Sequence, residues 1–188
     1  MNICKLVLAC TLTMASSLST AAETPFSGAA NVSTESLYAA TTGEVILTFL
    51  SKAAAFSTDL SVQGSPNIVF NNQTAEAGTT YSLGNFEAGT QIVFSFFVNE
   101  TGNTFLSGAA INNADNTAHT AYQQVANSLL VGFEDINFGG DRDYNDIIFS
   151  VTNATVGRPV VSPVPEPEIM SMLAAGLMLL GFSNRKKS

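Results

Sequence analysis

Thr90-Gln91-Ile92-Val93-Phe94-Ser95-Phe96-Phe97-Val98-Asn99 is the stretch that decides the fold class. Successive side chains of an extended strand point to opposite faces, so Ile92, Phe94 and Phe96 share one side while Val93, Ser95 and Phe97 share the other. The pattern predicts a central strand buried on at least one face. Similar short apolar runs at 44–50, 56–62, 67–70, 79–83, 128–133 and 146–152 are separated by segments rich in Ser, Thr, Asn and Gly. Asn71-Asn72, Gly84-Asn85 and Gly102-Asn103 are expected to supply turns. No heptads, long amphipathic stretches or internal repeats are present. The expected architecture is all-β, a single β-sandwich or jelly-roll-like domain.

That domain is expected to occupy residues 23–159, because both ends of the chain have a different character. Residues 1–22 read as a secretory signal peptide: Lys5 gives the positive start, residues 6–12 the apolar core, and Ser19-Thr20-Ala21-Ala22 the small residues of a cleavage site. Cys4 and Cys10, the two cysteines of the chain, both lie in this segment, so the exported protein would hold no disulfide. Residues 160–168 form a Pro-rich linker, residues 169–183 a short apolar helix, and residues 184–188 a basic tail. The apolar run 169–182 would make a helix of about 21 Å, short of a hydrocarbon core of roughly 30 Å. Spanning therefore needs help from the flanks, and the basic cluster would stay cytoplasmic.

Pro165-Glu166-Pro167, the short helix and the terminal Arg185, Lys186 and Lys187 together resemble the PEP-CTERM sorting signal of Gram-negative bacteria. The resemblance covers the last 24 residues or so. It implies processing near the tripeptide by an exosortase, a location in the cell envelope, at the cell surface or outside the cell, and frequent association with exopolysaccharide. An ordinary C-terminal membrane anchor is the plainer alternative.

The central region carries 13 acidic residues against three basic ones, Lys52, Arg142 and Arg158. This balance excludes a nucleic-acid binder, argues against anionic lipid, and is compatible with bound cations. Five of those acids fall within Gly132-Phe133-Glu134-Asp135-Ile136-Asn137-Phe138-Gly139-Gly140-Asp141-Arg142-Asp143-Tyr144-Asn145-Asp146. Crowded like charges are unfavourable unless they are solvated or share a cation. Asp141, Asp143 and Asn145 alternate along one edge of a loop, and Gly139-Gly140 allows a bend tight enough to return Glu134 or Asp135 toward them. Oxygen donors of this kind suit Ca²⁺. The start resembles an EF-hand loop, but Asp146 stands where the Gly belongs and Thr152 where the bidentate Glu belongs. The alternative is a solvated hairpin loop with Arg142 offsetting part of the charge. Asp146, at the entrance to Ile147-Ile148-Phe149, should accept backbone N–H groups or bind a metal.

The run from Gly132 to Asp146 is also similar to the C-terminal signature of a β-rich domain family of unknown function, found in exported and surface proteins of bacteria. That likeness extends over most of positions 40–155. It implies Ca²⁺ binding at Glu134, Asp135, Asp141, Asp143, Asn145 and Asp146, and no catalytic role. It also implies an upstream Asn-x-Asp-Gly segment followed by His, here Asn113, Asp115 and His119, with Asn116 where the Gly is expected.

Enzyme classes find little support. His119 is the only histidine, there is no Gly-x-Ser-x-Gly elbow, and zinc would lack ligands. Glu134 paired with Asp141, Asp143 or Asp146 could form a glycosidase dyad, but the chain has no Trp to line a sugar cleft. The reading is therefore a non-catalytic exported module. The competing reading is a carbohydrate-binding module for exopolysaccharide in which Tyr38, Tyr81, Tyr122 or Tyr144 stacks on sugar.

Overall fold

Phe94, Phe96 and Val98 are fully buried while Phe97 is 41% exposed, so the period-two pattern does set the faces of its strand. The computed structural model describes residue 26, residues 34–159, residues 171–175 and residue 177. Among the described residues there are twelve strands: β1 Leu37–Ala39, β2 Gly43–Ser51, β3 Thr58–Val62, β4 Ile68–Asn71, β5 Thr80–Phe86, β6 Gln91–Ile92, β7 Phe94–Val98, β8 Thr104–Leu106, β9 Thr120–Val125, β10 Ser128–Phe133, β11 Ile147–Thr152 and β12 Ala154–Val156. They form three antiparallel sheets, ordered β12-β1-β6, β5-β2-β11-β10-β9 and β4-β3-β7-β8. The fold is all-β.

The single strand expected over 90–99 is divided at Val93. Ile92 pairs with Leu37 in the three-stranded sheet, Phe94 with Val62 in the four-stranded one, and the Val93 carbonyl accepts the Gln63 N–H at 2.8 Å. Ile92 and Phe94 stay on the same inner side across the break, which is why the alternation does not reveal it. Gly84-Asn85 also differs from expectation. It lies inside β5, where Val45 pairs with Gly84 and Ile46 with Ser82, leaving Leu83 as the extra residue of a bulge. The turn comes later, where the Thr90 N–H reaches the Glu87 carbonyl.

The five- and four-stranded sheets meet through aromatic side chains. Phe96 stacks on Phe133 with ring centres 3.6 Å apart, Phe94 meets Phe149 edge-on at 5.1 Å, and Phe49 meets Phe70 at 5.8 Å. A second, smaller cluster of Phe26, Ala121, Tyr144 and Ile148 covers the other face of the larger sheet. That cover explains why Ile147, Ile148 and Phe149 are all buried in sequence: this end of β11 is enclosed on both faces.

Residues 171–175 and 177 are helical, and no helix among the described residues is long and apolar enough to cross a membrane. The expected signal peptide, the linker with Pro165, Glu166 and Pro167, most of the helix 169–183, and the tail with Arg185, Lys186 and Lys187 lie outside the described residues.

Candidate functional site

The ladder between β10 and β11 ends at Phe133 and Ile147, and the Asp146 N–H closes on the Phe133 carbonyl at 3.1 Å. Residues 134–146 leave the sheet there as a loop. Asp146 behaves as its position at the strand entrance led us to expect, its Oδ2 accepting the Asp135 N–H at 2.7 Å. Two residues without a sequence signal complete this corner. Thr58 donates its hydroxyl to Asp135 Oδ2 at 3.3 Å. Asn72 donates to the Asp146 carbonyl at 3.3 Å and accepts the Thr58 N–H at 2.8 Å. Thr58 and Asn72 are both fully buried.

The loop bends where its glycines sit, with Gly139 at φ +80° and Gly140 at φ +44°. A Cβ on Gly140 would collide with the Glu134 carboxylate, so glycine here provides both the backbone angle and the room for Glu134. Tyr144 also takes a left-handed conformation, φ +51°, at a cost of roughly 1–2 kcal/mol. The bend sends its ring into the small outer cluster, its hydroxyl to the Ala118 carbonyl at 3.4 Å, and its N–H toward Glu134 Oε2 at 3.3 Å. Burial of the ring offsets the backbone cost.

All six residues expected to bind a cation, Glu134, Asp135, Asp141, Asp143, Asn145 and Asp146, line one cleft of about 450 Å³. Glu134, Asp141 and Asp143 each place a carboxylate oxygen there, and these oxygens lie within 4.8 Å of one another. Ca²⁺ holds oxygens at about 2.3–2.6 Å, so opposite ligands sit roughly 5 Å apart and all three fit on one coordination sphere. Of the two acids that could fold back, it is Glu134 that joins Asp141 and Asp143. The Asp146 carboxyl instead lies within hydrogen-bond reach of Glu134 and Asp135. Asn145 donates both its side-chain amide and its N–H to Asp143, steadying that carboxylate.

Three of the five acids are enclosed, while Asp143 is half-buried and Asp141 exposed. Glu134 and Asp135 are each 2% exposed and Asp146 9%. Arg142 forms no ion pair with these acids among the described residues; the ion pair nearby joins His119 to Asp115. Burial, with Asp146 adding repulsion, pushes Glu134 up to about 8 and Asp135 up to about 7. Burial likewise raises Asp146, and burial together with neighbouring Asp141 raises Asp143.

His119 is fully buried and stacked on Phe105 with ring centres 3.8 Å apart, so it is not a surface loop residue. Nδ1 meets the Glu134 carbonyl at 2.8 Å and Nε2 meets Asp115 Oδ2 at 2.9 Å. The same Oδ2 accepts the Phe138 N–H at 2.7 Å, while Oδ1 accepts the Thr117 N–H at 3.0 Å. Asp115 and His119 thus hold the acidic loop at residues 134 and 138. Burial pushes Asp115 upward, but the hydrogen bonds from Phe138, His119 and Thr117 outweigh it and keep the carboxyl below its ordinary value. Asn116, which stands where glycine was expected, has φ +55°, a conformation Asn tolerates better than most residues. Asp115→Ala would strand three donors and is expected to cost about 2–4 kcal/mol. Urea unfolding checks this; an unchanged midpoint would show that the clamp contributes nothing.

A DUF4114 domain, a domain of unknown function, is found at residues 86–154. The DUF4114 match starts at the end of β5 and takes in β6 to β11, the Asp115–His119 pair and the whole acidic loop. Thr58 and Asn72 stand outside it, on the segment that packs against the loop from the facing sheet. No curated protein matches the chain.

Proposed function

We propose that the chain is a non-catalytic exported protein of a Gram-negative bacterium, processed by an exosortase at Pro165-Glu166-Pro167 and retained at the surface or in the extracellular matrix. In this reading the domain is a β-sandwich without disulfides, and its acidic loop binds Ca²⁺ and becomes rigid. One observation carries the cation reading: Glu134, Asp141 and Asp143 converge within 4.8 Å beside two further buried carboxylates, with no basic side chain among the described residues paired to any of them. Glu134, Asp141, Asp143 and Asp146 would supply carboxylate oxygens, with Asp135 and Asn145 supporting them. Their spacing favours a metal over a glycosidase dyad, whose carboxyls stand about 5–9.5 Å apart with room for sugar or water.

The pH dependence follows from the same groups. Glu134 and Asp135 have folded values above their unfolded ones, so their stabilising contribution is full below about pH 4 and is lost as pH rises through about 7 to 8. Asp115 acts in the opposite sense on the acid side, its contribution disappearing as pH falls through its lowered value. Without cation, the melting midpoint should therefore fall between pH 6 and pH 8.5. With Ca²⁺ present the carboxylates are neutralised by the ion and the midpoint should hold or rise. A cation at a hundredfold excess over Kd adds about 2.7 kcal/mol. Melting in EDTA and in Ca²⁺ at both pH values tests the reading, and identical midpoints in the two media would overturn it. Mass spectrometry tests the processing: a mature chain still ending at Ser188 would exclude cleavage near Pro165.

A further inference from the structure

We infer that the cleft between the β3–β4 hairpin and β5 is a binding site for a neutral saccharide unit. β4 and β5 are edge strands of the two facing sheets, and the cleft lies between them, with a volume of about 220 Å³. Val62, Leu83, Phe86 and the ring of Tyr81 form its apolar wall, while Ser65 and Asn67 stand on its polar side.

Two features define the ligand. No lining side chain carries a formal charge, so an ion entering the cleft would meet no counter-charge, and the chain's net charge of −8 disfavours anions further. The Asn67 side-chain amide and the Tyr81 hydroxyl form no hydrogen bond among the described residues, while the Asn67 backbone N–H donates to Ser65 Oγ at 3.2 Å. A purely apolar ligand would strip both of water without replacing it, costing about 1–3 kcal/mol for each. A neutral molecule with a C–H face for the wall and hydroxyls for Asn67 and Tyr81 satisfies both conditions, and a sugar ring is such a molecule. Of the four tyrosines considered for stacking, Tyr122 and Tyr144 are 8% and 1% exposed and so withdrawn from solvent, Tyr38 is half-buried on β1 and outside this lining, and Tyr81 lines the cleft.

The site goes beyond the cation reading and does not depend on it. Thr58, at one end of β3, bonds Asp135, while Val62, at the other end, lines the cleft. Four residue steps of strand separate them, about 13 Å.

Affinity electrophoresis of the purified protein tests the assignment, in gels cast with a neutral glucan, a neutral galactomannan or alginate, each with Ca²⁺ and with EDTA. At least one neutral polysaccharide should slow the protein equally in both media. Asn67→Ala and Tyr81→Phe, which disturb packing little, should together weaken retention about tenfold, and Glu134→Gln should leave it unchanged. The proposal is overturned by no retardation on either neutral polymer, by retention that survives the double variant, or by retention confined to alginate. Retention that needs Ca²⁺ and vanishes in Glu134→Gln also overturns it, since that would place the sugar on the acidic loop.

Discussion

Gly132→Ala is expected to lower the melting midpoint by roughly 10 °C or more, corresponding to about 3 kcal/mol. Gly132 lies mid-sheet, paired with Ile148 on one side and Ala121 on the other. A Cβ there would meet the Tyr144 carbonyl oxygen and the Phe26 ring, both closer than 3.0 Å. The oxygen belongs to the backbone and cannot rotate away. Phe26 is fully buried and can yield only by leaving its slot, which exposes the outer side of Ile148 and Ala121. Displacing Tyr144 would also pull its N–H from Glu134 Oε2, so the same change should loosen the acidic loop. Phe26→Ala vacates the slot but leaves the Tyr144 carbonyl in place, so it should relieve part of the damage done by Gly132→Ala. Thermal melts of the two single variants and the double variant therefore give a coupling energy. Additive effects, or a Gly132→Ala protein melting within about 2 °C of the parent, would refute this account of the glycine.

Glu134→Gln should change stability in opposite directions according to the medium. Without cation it removes a buried charge whose carboxyl is already driven up to about 8 by burial and by Asp146, so above neutral pH the variant should be more stable than the parent. With Ca²⁺ it removes one of the four carboxylates proposed as ligands, and the cation-dependent stabilisation of about 2.7 kcal/mol at hundredfold excess should vanish. Differential scanning calorimetry at pH 8 with Ca²⁺ and with EDTA reads both effects. A purely structural Glu134 would give destabilisation in both media, and a Ca²⁺ shift surviving the substitution would remove Glu134 from the ligand set.

Much of the sheet structure was legible because alternation is a local property. Strand β10 occupies the residues expected, 128–133, and β2 and β11 extend the expected runs by a residue or lose one at the boundary. Strand β9, Thr120–Val125, was not expected, since Thr-Ala-Tyr-Gln-Gln-Val shows no apolar alternation, and neither were the three-residue strands β1, β8 and β12. Each of these short strands is too brief to show a period and exists because a partner strand lies alongside. The division at Val93 was equally invisible, since changing sheets there leaves every side chain on its expected side.

The acidic loop divides in the same way. Its residue types, the glycine bend and the role of Asp146 as an acceptor of backbone N–H could be read directly, because a dense run of carboxylates beside two glycines restricts what the loop can do. Which acid returns, and which are buried, depended on groups far along the chain. Thr58 and Asn72 reach Asp135 and Asp146 from the facing sheet, His119 holds Glu134, and Phe26 covers Gly132.

The sequence by itself determined an all-β chain with an acid-rich, glycine-bent loop, because composition and period-two patterning act over a few neighbouring residues. Only the tertiary structure decided that Glu134, Asp135 and Asp146 are enclosed with no cationic partner among the described residues and that Tyr81, rather than Tyr122 or Tyr144, faces a cleft. Burial and charge pairing depend on what the rest of the chain brings against a residue, and those contacts cross between sheets and span dozens of positions.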